Sequence, residues 1–301
     1  MLAVLALTFN ALVFGLSWWP LRQLDILDLH PLWATAGVFL LATLVLTLVQ
    51  PVGWLSFKQY SSLGWLMLAS GLTNVGFNWA VTTGDVVRVV LLFYLMPTWS
   101  LLLAWWLLGE RPTRGALARL SLALVGVVLV LKPPDSPWPL PQDLPDLLAL
   151  LSGFTFALTN IWLLRLQHTP ASGRMLAMFG GGAVMAVCCA VLATLSGVIT
   201  PTLTLPVPSA ELLARVLAWA PWALGLSAAF LLSNFALQYG AARLSAHTTA
   251  MVMMSEVVFA SVSSVALGAS VLTWRIALGG GMIVAAALLA SQPHTQKDTH
   301  T

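Results

Sequence analysis

The sequence is short of charge. Aspartate, glutamate, lysine and arginine make up 8% of its 301 residues, whereas 59% are hydrophobic. A soluble domain carries roughly 25% charged residues, so this chain cannot cover a water-facing surface with the charge it has. The composition therefore predicts an integral membrane protein. The net charge of +3 forms no basic patch with interleaved aromatic residues, and we expect no nucleic-acid partner.

Cysteine is also scarce, and the sequence lacks the common catalytic and metal-binding patterns. The two cysteines, Cys188 and Cys189, are adjacent in an apolar run, where a disulfide between them would be strained and no His or Cys lies at metal-ligand spacing. We interpret them as small packing residues. We find no nucleophile with a general base and no phosphate-cradling glycine loop, so we expect neither an enzyme nor a bound cofactor or metal.

What is present is a series of long apolar segments. A spanning helix needs about 20 mostly apolar residues. Charges, prolines and glycines divide the chain into ten such segments, namely 2–24, 31–50, 61–82, 85–108, 114–132, 144–166, 174–197, 217–241, 244–268 and 272–291. The first has no Lys or Arg ahead of it and no clear cleavage site, so we expect a retained helix. The sequence predicts an all-α protein with ten transmembrane helices.

Lys and Arg in the short loops predict the orientation. With the N-terminus in the cytoplasm, eight of the 13 basic residues fall on the cytoplasmic side and five outside. The positive-inside rule then favours a multi-pass protein of the inner (plasma) membrane with both termini cytoplasmic.

A weak internal repeat divides the ten segments into five and five. Sliding the chain by about 160 positions, or about 143 near its start, superposes similar residues. The matched pairs include Asn74 with Asn234, Asn78 with Gln238, and Trp19 with Trp162. Because five is odd, two such copies must lie upside down to each other. We therefore predict two inverted five-helix repeats, 1–133 and 144–301, the architecture of many secondary transporters.

One stretch resembles a known family. LMPTWSLLLAWWLLGERPT, residues 95–113, followed by ALARLSLALVGVVLVL, residues 116–131, resembles ten-helix members of the drug/metabolite transporter superfamily, which contain two EamA-type domains. In the second half, Glu256 occupies the position of the Glu in the family's Leu-Glu-Pro, but Val257 replaces the Pro and Ser270 stands where a second Gly-Glu would be. The resemblance implies export or exchange of small metabolites, amino acids among them, often coupled to protons. It also leaves open a drug, nucleotide-sugar or lipid-linked substrate.

Glu256 is the most informative single residue. It lies about midway along a predicted membrane helix, where a charged side chain is costly and desolvation favours the neutral form. Thr249, Glu256 and Ser263 are seven residues apart and form one polar stripe. We predict that Glu256 exchanges the coupling proton and that the stripe contacts substrate. The alternative is a protonated glutamate that locks two helices together.

Three further groups are candidate substrate contacts. The amide pairs Asn74 with Asn78 and Asn234 with Gln238 are each one turn apart, and need protein or water partners inside a membrane. They would line a pseudo-symmetric cavity, or else hydrogen-bond neighbouring helices. The tryptophans Trp19, Trp162 and Trp99 would line the cavity, although Trp in membrane proteins commonly anchors the interface.

Arg88 follows Asp85 at the head of an apolar run. Asp85 is placed as a helix N-cap. Arg88 would then either pair with Asp85 and extend toward the headgroups, or turn inward to bind an anionic group of the substrate.

Together these observations predict a secondary transporter, namely a proton-coupled exporter of a small amphipathic metabolite such as an amino acid, working by alternating access. Its partners would be that substrate and membrane lipids. Glycines 180–182 and 279–281 would allow neighbouring helices to pack closely, and a homodimer contact at the fifth and tenth helices is left open. A membrane enzyme or a structural subunit is the alternative from another class; neither would explain the repeat and the intramembrane glutamate.

Overall fold

The fold is all-α. The structure, a computed structural model, describes residues 1–108, 113–131, 141, 143–199, 209–244, 249 and 252–290, and these residues include no β-strand. In chain order the helices are α1 (Leu2–Leu16), α2 (Trp18–Ile26), α3 (Pro31–Val49), α4 (Leu55–Gln59), α5 (Leu63–Thr83), α6 (Val86–Phe93), α7 (Met96–Leu108), α8 (Arg114–Leu131), α9 (Leu144–Arg165), α10 (Ala171–Leu195), α11 (Ser209–Ala241), α12 (Ser255–Ala266) and α13 (Trp274–Ala290).

Seven helical stretches among the described residues are long and apolar enough to cross a membrane. They are Leu2–Ile26, Pro31–Val49, Val86–Leu103, Arg114–Leu131, Leu144–Arg165, Ala171–Leu195 and Glu211–Ala241. The apolar helices α12 and α13 are shorter. Helix α5 has 21 residues but is interrupted by polar side chains, which lower its hydropathy. The predicted all-α integral membrane protein is confirmed, whereas the count of ten spanning helices stays a prediction.

Proline divides two of the predicted segments into two helices each. A proline lacks the N–H that would bond the carbonyl four residues earlier, and its ring clashes with that carbonyl. Pro20 lies four residues after Leu16, where α1 ends, and Pro97 lies four residues after Phe93, where α6 ends. The segments 2–24 and 85–108 are therefore each interrupted by a short turn, at Ser17 and at Tyr94 with Leu95, although each remains one span long enough to cross a membrane.

Helices from the first half of the chain pack mainly against helices from the second half. Helix α5 packs on α9 and α10, α3 on α10, α1 on α11 and α12, α6 and α7 on α9, and α8 on α13. The contact of α8 with α13 is close, since a Cβ added to Gly126 would lie 2.6 Å from the carbonyl oxygen of Gly279, and the reverse distance is the same. The two halves thus interlock into one bundle.

Candidate functional site

The break in the fourth predicted segment lies inside the bundle. Tyr94 and Leu95 separate α6 from α7 and are 3% and 4% exposed. Helix α9 supports this break through Gly153, where an added Cβ would lie 2.8 Å from the carbonyl oxygen of Phe93. A larger residue at that position would push α9 away from the carbonyl that Pro97 leaves without its helical donor.

Glu256 lies opposite this break, in the first turn of α12. The residue is 8% exposed, and its Oε2 accepts a hydrogen bond of 3.0 Å from the Tyr94 hydroxyl. The same hydroxyl lies 3.3 Å from the main-chain oxygen of Met253. Among the described residues no Lys, Arg or His pairs with Glu256. A carboxyl group in an apolar interior with a hydroxyl as its partner can take up and release a proton.

Helix α1 completes this meeting point. Gly15 is packed so closely on α12 that an added Cβ would lie 2.9 Å from the main-chain oxygen of Glu256 and 2.8 Å from the Phe259 Cβ. The end of α1, the break before α7 and the start of α12 therefore converge on Glu256. We call the side chains of Glu256 and Tyr94 with the backbone of Gly15 and Met253 the carboxyl site.

The predicted polar stripe on the ninth segment has separate environments along its length. Ser263 accepts a hydrogen bond of 3.0 Å from the indole Nε1 of Trp18 on α2. The hydroxyl of Thr249 is buried and has no hydrogen-bond partner among the described residues. Trp18 is 3% exposed, whereas Trp19, the predicted contact, is 43% exposed and lies edge-on to Trp222. At this end of the first segment the buried tryptophan is therefore Trp18, not the predicted Trp19.

In the described part of the bundle, the pair Asn74 and Asn78 makes no hydrogen bond to the pair Asn234 and Gln238. Asn74 donates to the carbonyl of Ser70 within its own helix at 2.8 Å, and Asn78 is buried with no partner for its Nδ2 among the described residues. Gln238 donates to Asn234 Oδ1 at 2.9 Å, again within one helix. Amides bonded within one helix, or left with a spare donor, retain capacity to bind another polar group.

Arg88 has a protein carboxylate as its partner. Its Nε and Nη2 donate to the two carboxylate oxygens of Asp146 on α9, at 2.7 and 2.6 Å. Asp85 is the N-cap of α6, because its Oδ1 accepts from the Arg88 amide at 2.9 Å. The cap was predicted correctly, but the side-chain partner is Asp146 rather than Asp85. Nearby, Arg22 donates to the carbonyls of Thr82 and Gly84.

The other predicted tryptophans lie apart from Glu256 in their contacts. Trp99 on α7 is edge-on to Phe154 at 5.6 Å, and its buried Nε1 has no partner among the described residues. Trp162 stacks with Trp65 at 6.2 Å, and the Arg165 guanidinium lies 5.2 Å from its ring centre.

Aromatic rings line the contacts between the central helices. One set joins α1, α3, α10 and α11, with centroid distances of 5.1 to 5.8 Å, and consists of Phe14, Phe39, Phe179 and Phe230. A second set, Phe77, Phe93 and Phe156, adjoins Tyr94. The surroundings of the carboxyl site are therefore apolar and aromatic.

Sequence reasoning missed four residues of these networks: Tyr94, Trp18, Asp146 and Asn10. Asn10 is fully buried and donates to the carbonyl of Ser233 at 2.9 Å, and its Oδ1 has no partner in the described part of the chain. An asparagine in an otherwise apolar membrane helix is a signal that could have identified it. Asp146 is likewise an acid in the first turn of an apolar helix. No group of three potential metal ligands (His, Cys, Asp or Glu) occurs among the residues that the structure covers.

Comparison with known proteins supports the sequence resemblance. Residues 1–132 match the EamA-like transporter family. The predicted resemblance is thereby confirmed for residues 1–132, and it is consistent with the drug/metabolite transporter superfamily; a second domain of this kind is not shown. A solved structure described only as the crystal structure of a protein is similar to this chain, with a TM-score of 0.53 and 17% identity over 96% of this chain and 95% of that one. At that identity the likeness concerns the fold. No curated protein matches the chain.

Proposed function

We propose that the protein is a secondary transporter that exchanges protons for a small amphipathic metabolite. The match of residues 1–132 to the EamA-like transporter family supports this proposal. The direction we propose is export, with both termini in the cytoplasm and the chain in the inner (plasma) membrane. Residues 144–301 would form a second, inverted domain of the same kind. The interlocking of the two halves supports this arrangement, because repeat interfaces hold the substrate site in many transporters.

The observation that carries the proposal is the environment of Glu256. A carboxyl group without a cationic partner is costly inside a membrane protein and marks a functional position. The Glu256 side chain lies where α1 ends, α12 begins and a break separates α6 from α7, so small rearrangements of these helices would change its access to water. Glu256 would release its proton on one side of the membrane and take one up on the other.

The substrate would be an amphipathic molecule such as an amino acid. The aromatic sets offer apolar contact, and the unsatisfied donors and acceptors of Asn78 and Thr249 offer hydrogen bonds. Asn74, Asn234 and Gln238 would add polar contacts by exchanging their bonds within a helix for bonds to substrate. A substrate role of Arg88 requires that its guanidinium leave Asp146, so a substrate carboxylate would have to compete with that ion pair.

The test uses purified protein in liposomes with an imposed pH gradient. A pool of labelled amino acids and related metabolites identifies a compound that moves with the gradient. Glu256→Gln keeps size and hydrogen bonding but cannot exchange a proton, and we expect gradient-driven accumulation to fall to the level of empty liposomes. The matched control is Glu211→Gln, an exposed glutamate that pairs with Arg215 one turn away, and it should behave as the parent.

Two results would count against the proposal. Undiminished gradient-driven accumulation by Glu256→Gln would remove Glu256 from the coupling mechanism. If the parent protein moves the compound at the same rate with and without the pH gradient, the protein is a facilitator or exchanger and Glu256 is a packing residue. If none of the pool moves, drugs, nucleotide-sugars and lipid-linked compounds are tested in the same liposomes.

A further inference from the structure

The Tyr94 hydroxyl has one hydrogen and two acceptors. Glu256 Oε2 lies 3.0 Å and the Met253 oxygen 3.3 Å from the Tyr94 Oη. A phenol can donate one hydrogen bond and accept others. Both side chains are buried, and an acceptor left without a donor in such a place is costly. The single hydrogen of the hydroxyl is therefore donated to one of the two oxygens at a time.

The protonation state of Glu256 determines which of the two oxygens accepts the Tyr94 hydrogen. An ionised carboxylate can only accept, so the Tyr94 hydrogen points to Oε2 and Met253 loses it. A protonated carboxyl can donate its own hydrogen to the Tyr94 Oη, and the phenol hydrogen is then free to rotate to the Met253 oxygen. Tyr94 keeps its proton in both arrangements; the one proton gained or lost belongs to Glu256.

The Met253 carbonyl lies at the break before α12. In a continuous helix it would accept from the amide of Val257, but that amide donates instead to the Met254 oxygen at 3.2 Å. Tyr94 itself lies at the break between α6 and α7. The hydroxyl thus connects two interrupted helices, one from each half of the chain.

Among the residues that the structure describes, Glu256 has no charged partner. The helices that pack on α12 with the broadest contact are α1 and α6. Over Leu2–Leu16 the first has no ionisable side chain, and the second carries Arg88, which is held by Asp146 at its far end. Helix α12 carries no other ionisable side chain than Glu256.

We propose that Tyr94 is a positioning residue that transmits the protonation state of Glu256 to the backbone at the break before α12. Protonation of Glu256 allows the Tyr94 hydroxyl to donate to the Met253 oxygen and removes its donation to the carboxylate at the end of α6. Deprotonation reverses both changes. The inference rests on the proposed role of Glu256 as proton carrier, and it adds the residue through which the proton acts on helix position.

The test follows the protonation of Glu256 directly, in purified protein, by infrared difference spectroscopy of the carboxyl C=O stretch. The band that Glu256→Gln removes is assigned to Glu256, and its pH midpoint is measured. Tyr94→Phe keeps the ring but removes the donor to the ionised form. We expect its midpoint to lie about one to two pH units higher than that of the parent, the effect of one hydrogen bond to a charged group. The matched control, Tyr60→Phe, should keep the parental midpoint.

A second measurement covers the case in which Tyr94→Phe does not fold. The chain has three tyrosines, so replacing Tyr60 and Tyr239 by Phe leaves Tyr94 as the sole site for biosynthetic incorporation of 3-fluorotyrosine. Fluorine makes the phenol a stronger donor with little change of shape. The midpoint should then move the opposite way, to lower pH.

These outcomes separate the inference from the proposed function. If neither variant moves the midpoint, or if the Glu256 band does not titrate in the parent, the role of Tyr94 is wrong, whatever the transport result. If the midpoints move as expected but the parent liposomes show no gradient-driven transport of any of the compounds tested, the hydrogen-bond exchange stands and the proposed function is wrong.

Discussion

The ion pair between Arg88 and Asp146 should stabilise the fold through its pairing rather than through either charge alone. Both carboxylate oxygens are engaged, at 2.7 and 2.6 Å, and the side chains are 21% and 4% exposed. Removing one partner of a buried pair costs about 3–5 kcal/mol, because the other charge stays buried alone. The partial exposure of Arg88 lowers our expectation for Asp146→Asn to about 2–3 kcal/mol in the free energy of unfolding.

A double-mutant cycle measures the pairing itself. Arg88→Gln, Asp146→Asn and the double variant are unfolded in detergent micelles and followed by tryptophan fluorescence. We expect the double variant to be less destabilised than the sum of the singles by about 2 kcal/mol. The exposed pair Glu211 and Arg215 gives a control cycle, in which surface pairing contributes less than about 1 kcal/mol. A coupling for Arg88 and Asp146 as small as the control would refute the reasoning.

Two further predictions concern packing and pH. Gly279→Ala places a methyl group 2.6 Å from the Gly126 oxygen and should lower the free energy of unfolding by about 1–3 kcal/mol. Gly281→Ala meets no atom of the described residues within 4 Å and should be neutral or stabilising. Equal melting temperatures of the two variants would contradict this. Burial lowers the pKa of His30, whose Nδ1 caps α3 by accepting from the Leu32 amide. The unfolded chain then binds the proton more readily, so the free energy of unfolding falls as the pH drops below about 6.5, the ordinary pKa of histidine. His30→Asn keeps the cap and should flatten this part of the stability–pH curve. A slope as steep as that of the parent would exclude His30 as its cause.

The membrane location and helical class could be predicted because they depend on composition and segment length, which are local properties. The cap of Asp85 is local too, and was predicted correctly. The partner of Arg88 could not be predicted, since Asp146 is 58 residues away in sequence and reaches it only through the packing of α6 on α9.

The helix breaks illustrate a different limit. Pro20 and Pro97 are visible in the sequence, and the proline rule places breaks near Leu16 and Phe93. Reading each apolar run as one helix concealed the consequence: a break changes which side chains face inward. Trp18, not Trp19, is buried just after the first break, and Tyr94, at the second break, donates to Glu256. The repeat and the substrate contacts stay predictions, as do the orientation and the proton coupling.

The pairing of Arg88 with Asp146 also has a consequence for the response to membrane voltage. Moving one elementary charge through the membrane potential changes the energy by about 2.3 kcal/mol per 100 mV. Since α6 and α9 carry this arginine and aspartate as a neutral unit, these two helices can shift together without moving net charge from that pair across the field. If the protein transports as proposed, voltage dependence of turnover would then come from charges other than this pair, such as the proton of Glu256 and the charge of the transported molecule.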